Sequence, residues 1–123
     1  MLAGAMAYHQ EQLLKDLQKA GMSFMVERPR HGGTESVLLT PNQAVRFLGN
    51  PAAVLAETYE VSEADFLQWI EDRFSVRCAA RTTRNRRCRA TATGLSSVDP
   101  KTWVANQGAL CSNHGAELLV DQP

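Results

Sequence analysis

Arg77-Cys78-Ala79-Ala80-Arg81-Thr82-Thr83-Arg84-Asn85-Arg86-Arg87-Cys88-Arg89, followed later by Cys111-Ser112-Asn113-His114-Gly115, holds all three cysteines of the chain and one of its three histidines. Thiolate and imidazole are the ligands of closed structural zinc sites, where four is the usual number. The spacing is C-x9-C-x22-C-x2-H. The C-x2-H end fits one turn that presents two ligands together. The first pair lies farther apart than a C-x2-4-C knuckle, so Thr82 to Arg87 must fold out as a small hairpin with Arg84-Asn85 near its tip. Cys78, Cys88, Cys111 and His114 are therefore the candidate ligands of one structural Zn2+. Three free, partly buried cysteines with an exposed histidine form the competing reading. The stretch is rich in Arg, Gly and Ser and poor in apolar residues, so metal is expected to staple it.

Outward from that stretch the chain is short. Its 123 residues make about one domain with one modest core. Formal net charge is zero, but unevenly spread. Residues 1–76 carry six Lys and Arg against ten Asp and Glu, net −4; residues 77–123 carry seven against three, net +4. That polarity favours a charged partner, nucleic acid among them. An odd cysteine count argues against a secreted disulfide framework. Neither a membrane span nor a signal-peptide pattern is seen, so a cytoplasmic protein with reduced thiols is expected. Residues 1–7 read as a flexible lead-in, 8–76 as an α+β body, 77–115 as a metal-binding region packed on it, and 116–123 as a tail.

Within the body, residues 8–20 predict a helix with Leu13, Leu14 and Leu17 on one face and Gly21 as its stop. Met22 to Glu27 and Ser36 to Thr40 predict a β-hairpin, ended on one side by Pro29 and turned through His31-Gly32-Gly33 over several residues. His31 beside two glycines is a weak candidate for a functional loop and a good one for a plain turn. Three short helices follow. Thr40-Pro41 with Gln43 makes a capping box, Asn50-Pro51 starts a second helix, and Ser62 caps a third. Phe66, Trp69, Ile70 and Phe74 form the apolar stripe of that third helix.

Residues 52–70 have the spacing of a helix-turn-helix, with Glu60 where the turn commonly has glycine. The charge is wrong for a DNA groove. The second helix offers Glu63, Asp65, Gln68, Glu71 and Asp72, which phosphates would repel. These five residues instead form a candidate surface for a protein partner with a basic surface.

The set Cys78, Arg81-Thr82, Cys88-Arg89, Cys111 and His114-Gly115 resembles small zinc-binding motifs of phage and mobile-element proteins that end in Cys-x-x-His-Gly-Gly. The resemblance covers the last third of the chain. It departs at Ala116, at Asn85-Arg86-Arg87, and in the long gap before Cys111. It implies zinc binding by the four residues and a mobile-element context, with no defined reaction.

Two functions follow as expectations. The first is a non-enzymatic zinc-binding regulator or inhibitor that acts through protein–protein contact on the acidic helix. The alternative is a nucleic-acid-binding protein that uses Arg77, Arg81, Arg84, Arg86, Arg87 and Arg89 on phosphates, with Trp103 stacking on a base. An enzyme is not expected. Four candidate ligands favour a closed site, and neither a P-loop, a dinucleotide fingerprint nor a nucleophile elbow occurs. A Cys111/His114 nucleophile–base pair lacks an orienting acid in sequence.

Overall fold

A computed structural model describes residues 2–81 and 84–115, with side chains from residue 9 onward. The order is α1 (Leu2–Lys19), β1 (Phe24–Arg30), β2 (Gly33–Leu39), α2 (Pro41–Gly49), α3 (Pro51–Thr58), α4 (Glu63–Glu71) and α5 (Pro100–Ala105). The class is α+β, as the sequence predicts: an N-terminal helix, a two-stranded antiparallel hairpin, short helices and a C-terminal Cys/His cluster. The tail, 116–123, lies outside the described residues. Among the described residues no helix is long and apolar enough to cross a membrane.

Backbone capping decides most helix boundaries. Gln43 N–H donates to Thr40 Oγ1 (3.1 Å), and Thr40 N–H donates to Gln43 Oε1 (2.9 Å), so the capping box is complete. Asn50 ends α2 and begins α3, its Oδ1 accepting from Ala53 N–H. Ser62 accepts from Asp65 N–H. The same chemistry at Asp99-Pro100, where Asp99 Oδ1 accepts from Thr102 N–H (2.7 Å), starts α5. The sequence predicts no helix here, since the surrounding Gly and Ser suggest a loop, although Asp99-Pro100 is a cap of the same kind.

Three features differ from expectation. Helix α1 begins at Leu2 rather than near residue 8, extending through Ala and Met, which favour helix. Its face is narrower than expected: Leu14 and Leu17 are half-buried, while Leu13 is exposed. Strand β1 runs through Pro29 instead of stopping there. The turn is only His31-Gly32, so Arg30 and Gly33 close the hairpin and Pro29 faces Thr34 at the next position. In an antiparallel ladder that position points its backbone away from the partner strand, so a missing N–H costs little there. The outward carbonyl of Pro29 accepts from Tyr59 Oη (2.6 Å), which fastens the hairpin to the end of α3. Arg28 reinforces this joint. Its guanidinium lies 3.9 Å from the Tyr59 ring centroid and donates to Glu35 and to the Thr58 carbonyl. Burial pushes the Tyr59 hydroxyl up to about 12.

The third difference lies in the core. Ala56, Phe66, Trp69, Val76, Ala92 and Trp103 form one buried cluster. Residues on both sides of Cys78 belong to it, so the C-terminal third shares the body's core and metal is not its sole support. Ile70 is exposed, and the stripe of α4 narrows to Phe66 and Trp69. Phe74 rejoins it from outside the helix. Arg73 (φ 55°) and Phe74 (φ 67°) adopt left-handed backbone, and Phe74 N–H donates to Trp69 O, folding the ring back to 4.6 Å from Trp69. The α3–α4 corner does have helix-turn-helix spacing, and Glu60 takes the positive φ (60°) for which glycine is the usual residue.

Candidate metal centre and its arginine hairpin

Residues 77–81 and 87–91 run antiparallel. Bridges join Arg77 with Thr91 and Arg81 with Arg87. Cys78 N–H donates to Ala90 O and Cys88 N–H donates to Ala80 O, each at 2.8 Å. All four pairs are centred on Arg84, so Cys78 faces Ala90 and Cys88 faces Ala80, and the two cysteines stand diagonally across the ladder. The wide C-x9-C spacing is thereby resolved: the intervening chain leaves as a hairpin and returns its second cysteine beside the first. Asn85 near the tip has φ 59°, as a tight turn requires. Thr82 and Thr83 lie outside the described residues.

Cys111 reaches this pair along a separate segment. Ala79 N–H donates to Ala109 O (2.9 Å) and Thr93 N–H to Leu110 O (3.2 Å), which lays residues 109–111 against the base of the hairpin. Residues 112–115 then make one helical turn, closed by Gly115 N–H on Cys111 O. That turn points His114 Nδ1 back to 3.2 Å from Cys111 Sγ and 3.3 Å from Cys78 Sγ. All four ligand atoms lie within 4.8 Å of one another. Cys78 and Cys111 are buried, and Cys88 and His114 partly so. Metal–sulfur bonds of ~2.3 Å and metal–nitrogen bonds of ~2.0 Å in a tetrahedron separate ligand atoms by roughly 3.5–3.8 Å. The cluster has that scale, and its donors fit a thiophilic divalent ion.

The backbone prepares these sulfurs for charge. Burial pushes the Cys78 thiol up, but N–H groups of Cys111 and Ala80, with the neighbouring thiols, outweigh it and hold Cys78 below its ordinary value. The N–H of His114 lowers Cys111, against burial, with further help from the His114 ring. Cys88 also receives an N–H, from Ala90, yet burial and the two nearby sulfurs leave it raised. Three thiolates crowded together would need a cation among them, and a bound metal ion would supply it.

The six arginines divide by use. Arg87 donates from Nε to Cys78 O and from Nη2 to Arg77 O, both at 3.3 Å, and so clamps the strand that carries the first ligand. Arg81 donates to Asn85 O across the tip. Arg77 lies 3.5 Å from Asp72 Oδ1. Arg86 is exposed and engaged elsewhere. Arg84 and Arg89 are exposed, with no hydrogen-bond or ion-pair partner among the described residues. The clamp by Arg87 has no sequence signal.

Two expected site residues are corrected. Trp103 is 3% exposed, packs in the core and donates Nε1–H to Ser75 O, so it cannot stack on a base. Asp72 is also buried, at 6% exposure, and accepts from Gln68 Nε2 at the end of α4, so its carboxylate does not reach the surface, while Gln68 itself is exposed. Of the acidic set, Glu63 and Glu71 are exposed, Glu63 accepting from Asn50, and Asp65 is half-buried.

No known protein family, curated protein or solved structure matches the chain.

Proposed function

We propose that the protein is a small, non-catalytic zinc-binding module whose metal-held arginine hairpin grips nucleic-acid phosphates. The observation that carries this is the pairing centred on Arg84. It places Cys78 and Cys88 at the hairpin's base and leaves Arg84 and Arg89 in solvent, with Arg81 and Arg87 spent on rigidity. Zn2+ would hold the base through Cys78, Cys88, Cys111 and His114, and four protein ligands would leave no open position for a substrate. A rigid base reduces the ordering cost when the arginines meet phosphates. The motif resemblance supports a phage or mobile-element setting.

A salt series tests it. Fluorescence anisotropy with a labelled 20-mer single strand and its duplex, zinc present, is expected to show binding that weakens steeply from low to physiological salt. Arg84→Ala and Arg89→Ala should each lower the slope of log K against log salt by about 1. Absence of binding at low salt sinks the proposal.

A second reading is favoured by α4. Leu67 and Ile70 are exposed on that helix beside Glu63 and Glu71, an apolar strip with acidic flanks. It would suit a basic protein surface, as in a regulator or inhibitor. Reversing Glu63 and Glu71 to lysine should abolish partner capture; capture that survives the reversal removes this reading.

A further inference from the structure

Between the α3–α4 turn and α5 lies a cleft of about 600 Å³. Val61, Val104 and Ala105 give it apolar walls. Asp65, Glu60 and Lys101 supply its charges. Glu60 and Lys101 neutralise each other in an ion pair. The carboxylate of Asp65 has no partner among the described residues, since Ser62 bonds only its backbone N–H. One uncompensated negative charge therefore sits, half-buried, beside an apolar wall. Val104, at 37% exposure, leaves that wall partly open to solvent.

We propose that this cleft receives an arginine side chain from a basic, amphipathic segment of a partner protein. It deepens the protein-partner reading and rests on it. The chemistry is specific. An arginine has a three-carbon stem that prefers apolar surface and a planar head that meets a carboxylate through two parallel N–H bonds. Val61, Val104 and Ala105 match the stem, and Asp65 matches the head. The Glu60–Lys101 pair closes one side of the cleft and leaves the arginine no like charge that lacks its own counter-ion. Glu63 and Glu71 on the same helix extend the negative field that would steer a basic segment toward the site.

The probe is a hexapeptide, acetyl-Ala-Leu-Arg-Leu-Ala-Arg-amide, with a second peptide in which citrulline replaces both arginines and keeps their shape without charge. Each is titrated into the zinc-loaded full chain and followed by amide and methyl chemical shifts. Shifts should centre on Val61, Asp65, Val104 and Ala105. The citrulline peptide should bind at least tenfold more weakly, and Asp65→Asn should weaken the arginine peptide by a similar factor. Zinc content and far-UV circular dichroism of the variant should match the wild type; if they do not, Asp65→Glu, which keeps the charge, should restore tight binding. Shifts confined to Leu67, Ile70, Glu63 and Glu71 would overturn the cleft and keep the wider protein-partner reading. Absence of binding by the arginine peptide would overturn the cleft, and the partner reading would then stand or fall by the reversal of Glu63 and Glu71. Salt-sensitive self-association lost in Asp65→Asn would overturn a foreign partner in favour of a second copy.

Discussion

Cys78→Ser is expected to lose its metal and, with it, the order of the Cys/His cluster and of the hairpin paired beside it. Elemental analysis should find about one zinc per wild-type chain and less than about a tenth of that in the variant. The physical reason is placement. Cys78 is fully buried, its sulfur is 3.3 Å from His114 Nδ1, and its strand is paired on one side with Ala90 and clamped on the other by Arg87. Structural zinc contributes on the order of 10–16 kcal/mol in small metal-folded peptides, comparable with the roughly 5–15 kcal/mol that holds a typical domain together. The damage should not stop at the hairpin. Val76 and Ala92, whose N–H donates to Val76 O across the hairpin's base, belong to the same buried cluster as Trp69 and Trp103. Near-UV circular dichroism should therefore lose tryptophan signal in the variant, and wild type treated with a strong chelator should follow it. A Cys78→Ser protein that keeps stoichiometric zinc would remove this residue from the site.

Trp69→Ala is expected to cost about 3–5 kcal/mol, enough to unfold much of the population of a marginal domain. Trp69 is the largest fully buried side chain. Its ring meets Phe74 at 4.6 Å, Tyr59 at 5.6 Å and Phe66 at 5.9 Å between centroids, and its Nε1–H donates to Val98 O at 2.8 Å. It thus joins α3, α4, the left-handed exit from α4 and the approach to α5. Trp69→Phe keeps most of the ring but leaves the Val98 carbonyl unpaired, and should cost about 1–3 kcal/mol. Urea titration separates the two variants by their midpoints. A loss below about 1 kcal/mol for Trp69→Ala would mean that the aromatic cluster is not the centre of stability.

What was legible in the sequence is mostly local. Thr40, Asn50 and Ser62 announce their helices because a cap needs only a side-chain oxygen and amides two or three residues away. The four candidate ligands could be named for a similar reason: few other residues offer thiol or imidazole, and three cysteines with a nearby histidine leave little choice. What could not be read depends on packing between distant segments. Pro29 looked like a strand end, since the side of the ladder its nitrogen faces is fixed by the two-residue turn at His31-Gly32. Trp103 and Asp72 looked like surface residues, because their neighbours in sequence are polar. Only contacts outside their own helices bury them: Trp103 clusters with Trp69, Val76 and Ala92, and Asp72 meets Arg77 beyond the end of α4. The division of labour among the arginines was equally hidden, for six identical side chains carry no mark of which will bond a carbonyl and which will remain in water.

The symmetric pairing around Arg84 has a consequence for how such a chain can change. The ladder from Arg77–Thr91 to Arg81–Arg87 closes before the tip begins, and everything the metal requires lies on the near side of that closure. The residues between Arg81 and Arg87 are therefore a cassette. A change in their number or identity leaves the pairs from Arg77–Thr91 to Arg81–Arg87, and with them the register of Cys78 and Cys88, in place.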